Sequence, residues 1–174
     1  IRKTLSESVD IIDIDDISEN GICWRTEETP AIVEKFKTAG IDALFLPFCD
    51  FGEEQAAAQI AASFHLPVLI WGARDERPNT DVSRGRDTQC GMFAATKVLR
   101  RHGVKFSYIY NCETESDAFA QGYDRFIRTA AVLKALRNLR LAKIGDRPVP
   151  FMSVMTNEAD LIRRMGVTVI PISP

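Results

Sequence analysis

This chain of 174 residues lacks most of the marks by which a sequence declares a function. No apolar run approaches the about 20 residues that a helix needs to cross a bilayer, so no membrane partner is expected. An excess of positive charge is also missing. Against 24 Asp and Glu stand 22 Lys and Arg, a formal net charge of -2, and a nucleic-acid partner would want a basic face. The four cysteines, Cys23, Cys49, Cys90 and Cys112, form no C-x-x-C pair, which suits reduced thiols in the cytoplasm better than a disulfide framework or a zinc site. Only two histidines occur, His65 and His102, and neither has a carboxylate or second histidine at ligand spacing. No metal site is expected within this segment. There is no G-x-S-x-G elbow and no cysteine near a histidine, so nucleophilic catalysis has no support. Cys90 stands where a helix start can acidify a thiol, yet it reads as a small buried packing residue. Dinucleotide and P-loop glycine patterns are absent as well. The chain opens on Ile1 with "IRKTLSES", the tail of a helix, and stops at "VIPISP", so it reads as a fragment.

What is present is a rhythm. "VDIIDID" suggests a strand over residues 9–15, followed by a helix over 29–39 with Thr29 as cap, Pro30 at its first position and Gly40 closing it. "DALFLPF" and "PVLIWG" are continuous apolar runs of the kind buried on both faces of a parallel sheet. "GEEQAAAQIAASF" lies between them as a helix with glutamates in its first turn, where the helix dipole favours them. "DTQCGMFAATKVLRRHG" follows as another helix, with Asp87 or Thr88 near its cap. "FSYIYN" is a fourth strand. A long helix over 117–139 carries Phe119, Tyr123, Phe126, Ile127, Ala130, Leu133 and Leu136 as a core stripe. Strands alternating with helices at this period require right-handed crossovers, which defines an α/β, doubly wound parallel sheet. Beyond residues 138–140 the rhythm changes to "RLAKIGDRP", "TNEADLIRRMG" and "VTVIPI", the start of a second α/β domain. The expected domains are therefore 1–138 and 139–174.

In such sheets ligands bind outside the carboxyl ends of the strands. Three loops lie there: "CDFGEE", "GARDERPNTDVSRGRDTQ" and "NCETESD". The middle one far exceeds the usual about 2–6 residues and is crowded with charge. Its guanidinium groups, on Arg74, Arg77, Arg84 and Arg86, either clamp an anionic ligand or pair with Asp75, Glu76, Asp81 and Asp87.

"DALFLPFCDFGEEQAAAQIA", "PVLIWGARDERP", "GRDTQCGMFAATKVLRRHGVKFSYIYN" and "RFIRTAAVLKALRNLRLAKIGDRP" resemble the amino-terminal region of the L-fucose isomerase and L-arabinose isomerase superfamily, in particular its L-fucose isomerase-like members. The resemblance runs from about residue 9 to 172, and R-D-T-Q-C-G and R-N-L-R-x-x-x-I-G are its specific parts. It implies a flavodoxin-like amino-terminal domain of an enzyme that interconverts an aldose and a ketose through an enediol. Manganese or another divalent metal would polarise the substrate oxygens. The family's metal ligands lie beyond Pro174, and its amino-terminal domain covers a neighbouring subunit's active site in a homo-oligomer. On that footing the charged loop, with Cys49 and Asp50, is a polar wall over a neighbour's sugar site. Arg74, Arg86, Asp87 and Gln89 are its expected sugar contacts. An alternative leaves Arg86 and Asp87 to cap the helix and fix the subunit interface. A stand-alone sugar-binding or sensory domain, or an assembly module without a ligand, would fit the same strands.

Overall fold

The computed structural model describes residues 9–76 and 85–173. Its contacts divide the chain into two units, 1–127 and 128–174. The division falls inside the longest helix, whereas the rhythm of the sequence changes just after it.

The first unit is built on three parallel strands, β1 (Leu44–Phe48), β2 (Val68–Gly72) and β3 (Ser107–Ile109), in that order across the sheet. Leu44 stands opposite Val68, and Leu69 opposite Ser107. All five residues of β2 are buried, as its unbroken apolar run requires of a strand covered on both faces. Its side chains alternate between two cores. Val68 and Ile70 meet Ile32, Val33 and Phe36 of α1 (Thr29–Ala39), Ala58 and Ala61 of α2 (Glu54–Ala62), and Met92, Ala95 and Leu99 of α3 (Thr88–Arg101). Leu69 and Trp71 meet Phe119, Tyr123 and Phe126 of α4 (Asp117–Leu136) on the opposite face. Helices thus flank both sides of a parallel sheet, an α/β arrangement.

Two local expectations are corrected. Residues 9–15 form no strand. Ile11 and Ile12 are exposed, and the chain turns at once, with the amides of Ile17 and Ser18 donating to the Ile14 carbonyl. A strand exists only through pairing, and the interleaved aspartates leave this run no second apolar face to bury. Thr29 is also not the cap of α1. Glu28 occupies that position, continuing a short 3-10 turn, and the buried Thr29 hydroxyl has no partner. The other end of α1 is as expected, with Gly40 at φ 63° donating to Lys37 and Phe36 carbonyls.

The second unit holds β4 (Arg140–Ile144), α5 (Glu158–Met165) and β5 (Thr168–Ile172), with β4 and β5 parallel and Arg140 opposite Thr168. Asn157 caps α5 by accepting from the Asp160 amide, and Gly166 at φ 71° ends it. The expected core stripe of α4 is buried at Phe119, Tyr123, Phe126 and Ala130, but Leu133 has emerged to solvent.

Candidate functional site

The start of α3 gathers loops from the carboxyl ends of all three strands of the first unit. From β1, Asp50 Oδ1 accepts the Asp87 amide at 2.9 Å and the Phe51 amide at 2.8 Å. From β2, the two carboxylate oxygens of Asp75 accept the Thr88 amide at 2.8 Å and the Gln89 amide at 2.9 Å. From β3, Asn111 Nδ2 donates to the Ala73 carbonyl at 3.1 Å and so ties the stem of the charged loop. Three successive amides at a helix start are thereby taken by two carboxylates, where the helix dipole most favours negative charge.

Two glycines permit this convergence. A Cβ at Gly91, in the first turn of α3, would sit 2.1 Å from the Phe51 carbonyl oxygen. A Cβ at Gly72, the end of β2, would lie 2.5 Å from Thr88 Cγ2 and 2.6 Å from Met92 Sδ. Backbone and helix meet at these points at distances no larger residue allows.

The ionisation of Asp75 follows from its surroundings. Partial burial raises its pKa, but hydrogen bonds from the Gln89 and Thr88 amides outweigh that, with help from the Thr88 side chain and the Arg86 charge. The carboxyl is held below its ordinary value. The fully buried Thr88 hydroxyl makes no hydrogen bond of good geometry, yet it lies close enough to favour the charged form of Asp75.

Arg86 Nη2 donates to the Arg74 carbonyl and to Glu76 Oε1, each at 3.3 Å. The pairing of arginines with neighbouring acids read from the sequence is therefore present at Arg86. Arg77, Arg84 and Asp81 lie outside the described residues. Arg74 contributes its carbonyl to this network while its side chain is exposed.

Of the six residues marked from sequence, Asp50, Arg86, Asp87 and Gln89 meet in one network, and Cys49 stands exposed beside Asp50. Asp87 occupies the cap position of α3, but its side chain makes no capping bond; Asp75 supplies that function from twelve residues before it in the chain. Cys90 is exposed, which corrects its reading as a buried packing residue, because it lies on the open side of the α3 turn whose Gly91 faces Phe51. Asp75 itself reads in the sequence only as a counter-charge for arginine. No fixed spacing links a loop carboxylate to a helix start so far along the chain, so no local signal singles it out.

An open groove of about 420 Å³ lies elsewhere, lined by Thr29, Gln59, Ser63 and His102 among others. It sits where α2 and α3 end, and those helices lead into the amino ends of β2 and β3. Its lining holds no Asp, Glu, Lys or Arg among the described residues, and the hydrogen-bond network that defines the candidate site lies at the other end of the sheet. Among the described residues, no group of three or more His, Cys, Asp or Glu side chains is arranged to hold a metal ion. No helix among them is long and apolar enough to cross a membrane.

A parallel sheet flanked by helices, with its loops drawn together at the strands' carboxyl ends, defines the general class. Residues 1–137 match the family described as fucose/sulfoquinovose isomerase, N-terminal domain, and the chain belongs to that family. Sulfoquinovose isomerases of Priestia aryabhattai and of Priestia megaterium are each 27% identical to it over 152 residues, covering 87% of this chain and 33% of theirs. The match thus spans a third of the length of these curated relatives.

Proposed function

We propose that this chain is the amino-terminal part of a sugar aldose-ketose isomerase, in which it forms a flavodoxin-like cover over a sugar site rather than the catalytic centre. The observation that carries the reading is the α3 start, where Asp50 of the loop after β1 and Asp75 of the loop after β2 hold the backbone amides of Asp87 and Gln89, and the Arg86 side chain is tied to the same loop. Sugar recognition needs planar, multi-donor groups held in this way. The family and the sulfoquinovose isomerase relatives support an isomerase acting on carbohydrate. Manganese or another divalent ion would polarise the substrate oxygens, and its ligands would come from the remainder of a longer, cytoplasmic protein. The contribution of this segment is binding: Arg86 and Gln89 donate to sugar hydroxyls, Asp87 accepts from them, and Cys49, Asp50 and Arg74 border the wall. The amino-terminal domain of such an enzyme, residues 1–138, would lie against a neighbouring subunit of a homo-oligomer. Tyr108 of β3 and Tyr110 just beyond it, both exposed, form an aromatic surface suited to that contact.

An aldose-to-ketose assay on the natural full-length protein tests the reading, using pentoses, 6-deoxyhexoses and acidic sugars, with manganese and with chelator. Chelator-sensitive turnover of one sugar is expected, with KM raised in Arg86→Ala and Gln89→Ala. Absence of turnover by a folded, metal-loaded protein would reject it. Unchanged KM with a broken oligomer in those variants would reject the sugar wall alone and assign the network to the interface.

A further inference from the structure

Asp75 lies outside the residues that the sequence marks, yet it holds two of the first α3 amides where Asp50 holds one. We propose that Asp75 is a positioning residue for the sugar wall: its carboxylate fixes the first turn of α3, and with it Arg86 and Gln89, in the arrangement that meets substrate. The inference rests on the wall reading given above.

Four hydrogen bonds join residues 74–76 to residues 85–89. Asp75 grips the Thr88 and Gln89 amides, and Arg86 reaches back to the residues on either side of Asp75, the Arg74 carbonyl and the Glu76 carboxylate. Gly85 lies so close to Glu76 that a Cβ there would be 3.0 Å from its Oε2. Asp75 is the centre of this grip, and the two neighbours orient the guanidinium. Nothing at the cap position replaces it, because the Asp87 side chain makes no capping bond. The loop stem, by contrast, keeps an anchor of its own through Asn111 on the Ala73 carbonyl. Loss of the Asp75 carboxylate therefore loosens the start of α3 while β2 and the stem stay in place. A charge-assisted pair of bonds to two adjacent amides sets both position and rotation of the turn, which a single neutral acceptor sets less firmly.

The test uses the natural full-length protein with the sugar it turns over, comparing Asp75→Ala, Asp75→Asn, Arg86→Ala and Gln89→Ala. Steady-state kinetics are read beside hydrogen exchange of the peptide that carries Thr88 and Gln89. Asp75→Ala is expected to raise KM by roughly tenfold with kcat much less affected, and to speed exchange at the helix start. Asp75→Asn is expected to recover part of the loss, since its amide oxygen can accept one of the two N–H groups. If Arg86→Ala raises KM and Asp75→Ala does not, Asp75 has no positioning role and the wall stands. If Arg86→Ala and Gln89→Ala leave KM unchanged, the wall reading fails and carries this inference down with it. Should Asp75→Ala fail to fold, Asp75→Asn decides: raised KM in a variant still folded at the assay temperature supports the role, and wild-type KM overturns it.

Discussion

The two units each contain a strand, a helix and a parallel strand, yet β2, α3 and β3 are built quite differently from β4, α5 and β5. In the first unit every residue of β2 is buried, and the start of α3 is held by two carboxylates distant in sequence, Asp50 from the loop after β1 and Asp75 from the far end of its own loop. In the second, every residue of β4 is exposed, α5 buries no residue, and its cap is Asn157, the residue just before it. Local rules of helix and strand formation suffice to lay down both motifs. In the first unit burial and distant contacts fix side chains in place, whereas the elements of the second, within this segment, rest on local capping and strand pairing. Surface pairs such as Arg163 and Arg164 on Asp160 do not close that gap, since exposed ion pairs contribute little.

The largest break in this comparison is a core truncation. Phe119 is fully buried, stacks on Tyr123 with centroids 5.9 Å apart and meets the Trp71 ring edge-on at 5.1 Å. Phe119→Ala is expected to cost about 3–5 kcal/mol of unfolding free energy. Ile144→Ala, in a strand residue 78% exposed, is expected to stay within about 0.5 kcal/mol. Urea unfolding followed by far-ultraviolet circular dichroism measures both, and similar shifts for the two variants would erase the distinction between the units.

The fourth residue of each helix gives a second, smaller contrast. In α5 that position holds Leu161, while in α3 it holds Gly91, pressed against the Phe51 carbonyl. Helix propensity alone favours alanine over glycine by about 1 kcal/mol. The 2.1 Å approach reverses this preference, because the obstacle is backbone and cannot rotate away. Gly91→Ala is therefore expected to destabilise by about 1–3 kcal/mol. A melting temperature equal to or above wild type would show that α3 can lift off Phe51 freely, and that the convergence of loops is not rigid.

The elements legible in the sequence were those fixed by local pattern. The apolar runs of β1 and β2, the alanine-rich α2, Gly40 after α1 and the basic last turn of α3 all lie where periodicity and capping rules put them. Residues 9–15 misled because an apolar-acidic run resembles a strand until the question of its pairing partner is asked. Around the candidate site, the charge of the loop was visible but its wiring was not. Arg86 pairs with a nearby acid, one of the two roles the sequence allows it, and of Asp87 and Thr88, either of which the sequence allows near the helix cap, Asp87 stands there. The group that does the capping, Asp75, is joined to α3 only through the folded loop, so its role emerges from tertiary structure alone.

That difference between a distant, charged cap and a local, neutral one predicts the smallest effect and the most specific. Asn157→Ala should cost about 1 kcal/mol, the same at every pH, because an amide cap does not titrate. The Asp75 carboxyl has a lowered pKa in the folded chain, so its stabilising contribution is complete above the ordinary carboxylate range of about 4 and disappears as pH falls through the lowered folded value. Glu28 behaves in the same direction, through its bonds from Ser18 and Arg25, so the acid sensitivity of the first unit is shared. Comparing wild type with Asp75→Asn isolates one share: the variant is less stable at neutral pH, and the gap narrows below pH of about 4 as the wild-type carboxylate takes up its proton. A gap that stays constant between pH 6 and acid, measured by chemical denaturation at each pH, would mean that Asp75 stabilises through its shape and not its charge, and the two caps would then differ only in reach.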